Sequence, residues 1–172
     1  CHTRFAEKYF SMKNVHPVVK EKKCEGCHIR HGIIPKLILK DIGNQVCYAC
    51  HSKEKLGLNK TRVHTALKNG QCALCHNPHA SQTEHLLKSG GSELCYQCHG
   101  REQFEKKVVH KPLQANGCMT CHFSHGSDET ALLRKPEAGL CLSCHDGNKA
   151  SFTEAHGGYP VQAQSCTTCH NP

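Results

Sequence analysis

The pattern C-x-x-C-H occurs seven times in this chain of 172 residues. Two thiols three positions apart on one helical turn can form thioether bonds to the two vinyl groups of a haem, and the adjacent histidine then meets the iron from the same side. The pattern therefore predicts seven sites for covalently bound haem c. The predicted thioether cysteines and proximal histidines are Cys24, Cys27 and His28; Cys47, Cys50 and His51; Cys72, Cys75 and His76; Cys95, Cys98 and His99; Cys118, Cys121 and His122; Cys141, Cys144 and His145; and Cys166, Cys169 and His170.

Other uses of paired cysteines do not explain this pattern. Zinc ribbons use C-x-x-C pairs without a histidine after each pair, and a thioredoxin-type redox site occurs once, beside a βαβ pattern that is absent here. A disulfide framework gives no reason for 14 of the 15 cysteines to occur in pairs of fixed spacing. All three alternatives are therefore disfavoured.

The motifs alternate between two types within a repeat of 46 to 48 residues. A first-type motif has a histidine eight positions before its first cysteine and another histidine three positions after its last residue. A second-type motif begins 16 residues after that last histidine, so each repeat carries two haems. We predict one continuous multihaem segment with repeats at 16–63, 64–109 and 110–155 and partial repeats at 1–15 and 156–172.

Both ends of the chain fall inside this pattern. The residues that lead from Cys1–His2 to His16 match those that follow Cys98–His99, so Cys1 and His2 resemble the second half of a second-type motif. At the other end, Cys166–Pro172 stops one residue before the position of a further histidine. We therefore predict a fragment of a longer polypeptide, with an eighth haem held by Cys1 and the proximal ligand His2. The alternative is a mature lipoprotein whose first residue is an acylated cysteine.

Histidines at the two repeated positions supply a second ligand for the irons. Two such histidines per two-haem repeat is the stoichiometry that six-coordinate iron requires, so we predict bis-histidine coordination. The predicted distal ligands are His16, His31, His64, His79, His110, His125 and His156. His156 departs slightly, because it precedes Cys166 by ten residues instead of eight. His85 lies at neither position, and we interpret it as an exposed or propionate-contacting residue.

Three of these distal histidines, His31, His79 and His125, follow a proximal histidine by only three residues. Three residues span at most about 10 Å, which is too short to pass round a porphyrin edge to its other face. Each of the three must therefore bind a haem other than the one bound by the proximal histidine before it, and so it ties two haems together. The sequence leaves open which distal histidine binds which iron.

The composition predicts how these ligands are positioned. Only 37% of the residues are hydrophobic and 5% are aromatic, so the polypeptide alone can bury little apolar surface. We predict a haem-packed fold that is mostly coil, with short α-helices at the motifs and negligible β-sheet. Weak helical patterns occur at 84–88 and 130–135. The repeated apolar pairs at 38–39, 86–87 and 132–133 are expected to pack on haem faces.

The formal net charge of +8 would by itself favour a nucleic acid or an anionic membrane as partner. Haem propionates bring opposing charge, so we interpret the lysines and arginines as propionate partners and solvated surface, and we predict no nucleic-acid binding. No run of about 18 apolar residues is present, so no transmembrane helix is predicted in this segment.

The repeated unit, His-(x)7-C-x-x-C-H-x-x-H-(x)15-C-x-x-C-H, resembles the doubled-CxxCH family of multihaem cytochromes c over nearly the whole chain. Members include decahaem cytochromes held inside outer-membrane porins, periplasmic electron shuttles and large extracellular cytochromes, some of which form filaments. The resemblance implies haem attachment at the motifs, bis-histidine ligation and electron transfer without substrate chemistry.

We therefore predict an exported electron conduit, not an enzyme, that acts in the periplasm, at the outer membrane or outside the cell. The expected partners are redox proteins, further copies of the chain in a filament, or an outer-membrane porin. One alternative is the electron-relay part of a multihaem oxyanion reductase. Such an enzyme needs an iron with an open position, yet every complete motif here ends in histidine. A haem store or scaffold is a third alternative.

Overall fold

A computed structural model of the chain describes residues 3–29, 38–68, 71–161 and 164–172, without the side chains of Thr3 and Asn116. Within these ranges the longest helix has seven residues, and turns and coil predominate. The predicted mostly coil fold with short helices is therefore confirmed. The α-helices are α1 (Thr3–Tyr9), α2 (Pro17–Lys20), α3 (Gln45–Tyr48), α4 (Thr65–Lys68), α5 (Cys72–Cys75), α6 (Lys111–Asn116), α7 (Glu137–Leu142) and α8 (Ala150–Ala155).

Each of the seven complete motifs contains one helical turn. In every motif the backbone N–H of the proximal histidine donates to the carbonyl of the first cysteine, at 2.9–3.1 Å. The turn is part of an α-helix in α3, α5 and α7 and a 3₁₀ turn in the other motifs. The 3₁₀ turns are Cys24–Gly26, Glu84–Leu86, Gly91–Glu93, Cys95–Gln97, Arg101–Gln103, Cys118–Thr120, Thr130–Leu132 and Cys166–Thr168.

Two antiparallel sheets of two strands each join segments that lie far apart in the sequence. The strands are β1 (Asn14–Val15), β2 (Arg62–Val63), β3 (Ala80–Ser81) and β4 (Gly126–Ser127). β1 pairs with β3, so that Val15 lies opposite Ala80, and β2 pairs with β4, so that Val63 lies opposite Gly126. Ala80 is the only hydrophobic residue that is buried among those the structure describes. The polypeptide alone thus forms little core, as the composition predicts.

Each first-type motif is also joined to the apolar pair that follows it. Isolated antiparallel bridges connect His28 with Leu39, His76 with Leu87, and His122 with Leu133. In the second repeat, the Asn77 N–H donates to the Leu86 carbonyl at 2.8 Å. On the other side of the bridge, the Lys88 N–H donates to the Cys75 carbonyl at 2.9 Å. The backbone of the apolar pair therefore holds the proximal histidine in place.

The weak helical patterns at 84–88 and 130–135 form less helix than predicted. Each forms a single 3₁₀ turn that contains two left-handed residues, with φ of 55° and 58° at His85 and Leu86 and of 51° and 58° at Ala131 and Leu132. A left-handed residue cannot continue a right-handed helix and costs about 1–2 kcal/mol when it is not glycine. The surrounding hydrogen bonds must therefore stabilise these turns.

The chain divides into two compact units. The first contains residues 1–56 and 65–101, and the second contains residues 57–64 and 102–172. The β1–β3 sheet belongs to the first unit and the β2–β4 sheet to the second. None of the helices in the described ranges is both long and apolar enough to cross a bilayer.

Gly126, in β4, has no room for a side chain. A methyl group there would overlap the Gly57 carbonyl oxygen and lie 3.1 Å from the Arg62 carbonyl oxygen. The substitution Gly126→Ala is therefore expected to destabilise the protein by about 1–3 kcal/mol, as overpacking does elsewhere, and thermal unfolding measures this. Gly139→Ala is the matched control, because nothing lies within 4 Å of the added methyl group and alanine favours helix α7. Equal melting temperatures for the two variants would contradict the prediction.

Candidate haem sites

Four pairs of histidine rings lie at a nearly constant separation. In each pair, one histidine is a predicted proximal ligand and the other is a predicted distal ligand. The distances between ring centroids are 6.1 Å for His16 and His51, 6.0 Å for His28 and His79, 6.1 Å for His110 and His145, and 6.0 Å for His156 and His170. The structure therefore pairs each of these distal histidines with one motif.

This separation fits an iron atom between the two rings. An imidazole nitrogen binds a transition-metal ion at about 2.0–2.1 Å and lies about 1 Å from the centre of its ring, so two imidazoles on opposite sides of one ion have centroids about 6 Å apart. The donor set also fits, since histidine is an ordinary axial ligand of haem iron. The paired histidines and the cysteines of the same motifs are thus the residues that would hold haem c.

Two ligands from different pairs are neighbours at the first small sheet. His16 follows β1 and His79 precedes β3, and the His16 N–H donates to the His79 carbonyl at 2.9 Å. In the second unit, the N–H of His64 likewise donates to the carbonyl of His125 at 2.8 Å. Because His16 and His79 belong to different pairs, their hydrogen bond holds two of the histidine pairs side by side.

Aromatic residues of α1 shield one of these ligands. The rings of Phe5 and Tyr9 both have centroids 5.0 Å from that of His79. Burial lowers the pKa of His79, and the charges of His28 and His16 add to this effect. Burial is also the main cause that lowers the pKa of His16. Both rings therefore favour the neutral form, which is the form that binds a metal.

The first cysteines of consecutive motifs also meet in pairs. The thiols of Cys47 and Cys72 lie close enough to interact electrostatically, and so do those of Cys141 and Cys166. Burial, together with the neighbouring thiol, raises the pKa of Cys47 and raises that of Cys141 to about 11. None of the 14 described cysteines is in a disulfide. Each contact brings a second-type site against the first-type site of the next repeat.

Side-chain acceptors just before two second-type motifs fix these contacts. Asn44 Oδ1 accepts the Cys72 N–H at 3.1 Å. The Glu137 carboxylate accepts the Thr167 N–H and the Ser165 hydroxyl, both at 2.8 Å, and these hydrogen bonds lower the pKa of Glu137. Neither acceptor could be recognised from the sequence, because each one binds a motif about 30 residues away and no local pattern indicates such a contact.

Two proximal histidines have backbone carbonyls as partners for Nδ1. The Nδ1–H of His76 donates to the His85 carbonyl, and that of His122 donates to the Ala131 carbonyl, both at 2.7 Å. Donation from Nδ1 leaves Nε2 unprotonated and free to bind iron. The side chain of His85 itself is exposed. Position 85 therefore acts on the site through its backbone, which residue types alone did not reveal.

The last repeat pairs its distal histidine differently. His110 lies opposite His145, which is the proximal ligand of a second-type motif. His156 occupies the same repeat position, but it lies opposite His170 of the motif that follows it directly. The Nδ1–H of His156 donates to the Phe152 carbonyl at 2.7 Å. The two additional residues between His156 and its motif are the sequence difference that accompanies this pairing.

The other predicted ligands fall into two groups. Cys1, His2 and His31 lie outside the described residues, so their roles stay predictions. The second group is described but does not belong to the four ring pairs above, and its axial assignments also stay predictions. This group contains His64, His76, His99, His122 and His125.

A family model for the doubled CXXCH motif matches the chain three times, at residues 16–56, 64–104 and 110–150. Each match contains one first-type motif and the second-type motif that follows it. The three matches together cover more than half of the chain. No curated protein sequence matches the chain.

Proposed function

Because the chain belongs to the doubled CXXCH motif family of multihaem electron-transfer cytochromes, we propose that it conducts electrons along a row of bis-histidine haems and does not act on a substrate. Seven sites have complete motifs, and we assign an eighth to Cys1–His2. The hydrogen bond between His16 and His79 supports this function most strongly. It places ligands of two different irons on adjacent backbone segments, which is the close spacing that electron transfer requires.

The residues of the chain determine how the cofactors are held. When bound, haem supplies reversible one-electron chemistry at its iron. The two cysteines of each motif would hold one edge of the group, and the paired histidines would be its iron ligands. With both positions filled, a substrate has no access to the iron. Histidine on both sides also keeps the reduction potential lower than a histidine and methionine pair would.

The contacts of the first unit give an order to three sites. The hydrogen bond between His16 and His79 joins the site of Cys24–His28 to that of Cys47–His51. The thiol contact then joins the site of Cys47–His51 to that of Cys72–His76. We propose that electrons pass through these three sites in that order, in either direction.

We further propose that the protein acts in respiratory electron transfer at the outer membrane or outside the cell. Multihaem cytochromes c are exported proteins, and their cofactors are attached after export. The proposed partners are other redox proteins, further copies of the chain in a filament, or an outer-membrane porin. The filled coordination spheres support this role, because electrons can then enter and leave without exchange of ligands.

Spectroscopy of the intact holoprotein tests the proposal. We expect a mass that corresponds to at least seven haems, only low-spin signals in electron paramagnetic resonance, and fast redistribution of electrons after partial photoreduction. A five-coordinate, high-spin haem in the intact protein would contradict a pure conduit and favour an oxyanion reductase. Slow redistribution among low-spin haems would instead favour a haem store.

A further inference from the structure

Two first-type and two second-type proximal histidines differ at Nδ1, the nitrogen that points away from the iron. In the first-type motifs of the second and third repeats, His76 and His122 are half-buried and donate to a backbone carbonyl at 2.7 Å. In the second-type motifs, His51 and His145 are exposed, and neither has an Nδ1 hydrogen bond to another residue in the described part of the chain. Solvent is the acceptor available to these two rings.

The first-type acceptor is made by backbone conformation alone. In the third repeat, the left-handed residues Ala131 and Leu132 direct the Ala131 carbonyl towards His122. The Phe123 N–H donates to the Leu132 carbonyl at 2.8 Å and holds the second residue of the pair. Because non-glycine residues rarely adopt this conformation, its presence beside the iron ligand indicates a function.

The second repeat contains the same arrangement with different side chains. His85 and Leu86 are left-handed, with φ of 55° and 58°, and the Asn77 N–H donates to the Leu86 carbonyl at 2.8 Å. A histidine in one repeat and an alanine in the other thus present the same carbonyl at the same distance. The shared feature is the direction of the carbonyl, and not the chemistry of the side chain.

We propose that His85 and Ala131 are positioning residues that lower the reduction potentials of the haems at Cys72–His76 and Cys118–His122 relative to those at Cys47–His51 and Cys141–His145. Donation from Nδ1 to a fixed carbonyl raises the basicity of the imidazole. A more basic ligand stabilises ferric iron over ferrous iron and so lowers the potential. The inference rests on the proposed function, because it requires haem at these motifs.

The consequence is a difference in potential among these four sites. The haems at Cys72–His76 and Cys118–His122 favour ferric iron more strongly than those at Cys47–His51 and Cys141–His145. On partial reduction, electrons then occupy the sites of Cys47–His51 and Cys141–His145 first.

The substitution Ala131→Pro in the full holoprotein tests the proposal. Proline fixes φ near −65° and cannot keep the left-handed conformation, so the carbonyl turns away from His122. We expect the midpoint potential of one haem, that of Cys118–His122, to rise in a redox titration followed by nuclear magnetic resonance of the individual haems. Ala131→Gly is the matched control, because glycine keeps the positive φ, and all midpoints should stay unchanged.

Two further measurements keep the test decisive. Ala131→Val retains the backbone N–H but disfavours positive φ, and it should raise the same midpoint if the proline variant does not fold. In the unaltered ferrous protein, the Nδ1–H of His76 and His122 should exchange with D₂O more slowly than those of His51 and His145. Unchanged midpoints in both variants, or equal exchange rates, would overturn the proposal. If the proposal fails in this way but mass spectrometry finds all the haems, the proposed function still holds. Missing haems would contradict the proposed function itself.

Discussion

A chain in which His79 is replaced by alanine is expected to gain one high-spin iron, at the site of Cys24–His28. The His79 ring lies 6.0 Å from that of His28, and its removal leaves the sixth position of this iron open. The open position should therefore arise some 50 residues before the substitution, and not at the motif that ends at His76. Electron paramagnetic resonance detects the high-spin signal, and carbon monoxide binding to the reduced protein counts the open position.

Two companion variants make this result specific. His79→Met should keep the iron six-coordinate and raise its potential, because methionine replaces histidine as a ligand. His85→Ala should leave every iron low-spin, because the His85 side chain is exposed and alanine occupies the equivalent place at Ala131. High-spin iron in the His85 variant, or none in His79→Ala, would show that the pairing of His28 with His79 is wrong.

A chain in which Cys47 and Cys50 are both replaced by alanine is expected to lose one haem and part of its fast electron redistribution. Without the two thioether bonds, the paired rings of His16 and His51 are the only remaining attachment of this group. The site lies between those of Cys24–His28 and Cys72–His76 in the order given by the contacts. Its loss removes one of the two links between those sites and leaves the three-residue link from His76 to His79, so transfer should slow.

Mass spectrometry and transient absorption after partial photoreduction measure the two effects. The matched control replaces Cys166 and Cys169, the last motif of this chain, by alanine. That variant should also lose one haem, but it should keep fast redistribution among the others. If both variants redistribute electrons equally fast, the order of sites in the first unit is wrong.

The local chemistry of the sites could be predicted from the sequence, because it depends on residues that lie within a few positions of each other. The turn that joins Cys24 to His28 has the same hydrogen bond in all seven motifs. The three-residue spacing of His79 from His76 predicts that His79 binds a haem other than that of its own motif, and in the structure its ring lies beside that of His28. The repeat period, composition and short spacings thus predicted the coil and the short helices.

The pairing of each distal histidine with a motif could not be predicted. It depends on contacts between residues far apart in the sequence, such as the two-residue pairing of β1 with β3. Residues such as Asn14 and Ser81 carry no pattern strong enough to indicate that they lie opposite each other. The acceptor role of the His85 and Ala131 carbonyls also could not be predicted, because residue type does not indicate a left-handed backbone at residues other than glycine. The repeat comparison does show that these two positions are equivalent, because each lies six residues after a predicted distal histidine.

The pairing of His28 with His79 also limits how a chain of this kind can grow or shrink during evolution. His28 belongs to the repeat that starts at residue 16, and His79 belongs to the next repeat. A repeat therefore does not complete its own haem sites, because it supplies a ligand to the preceding repeat and takes one from the following repeat. Tandem duplication of a whole repeat keeps this pairing between every two adjacent repeats, so the chain can lengthen without other changes. Deletion keeps the pairing only if it removes whole repeats, whereas a deletion within a repeat leaves an iron exposed to oxygen.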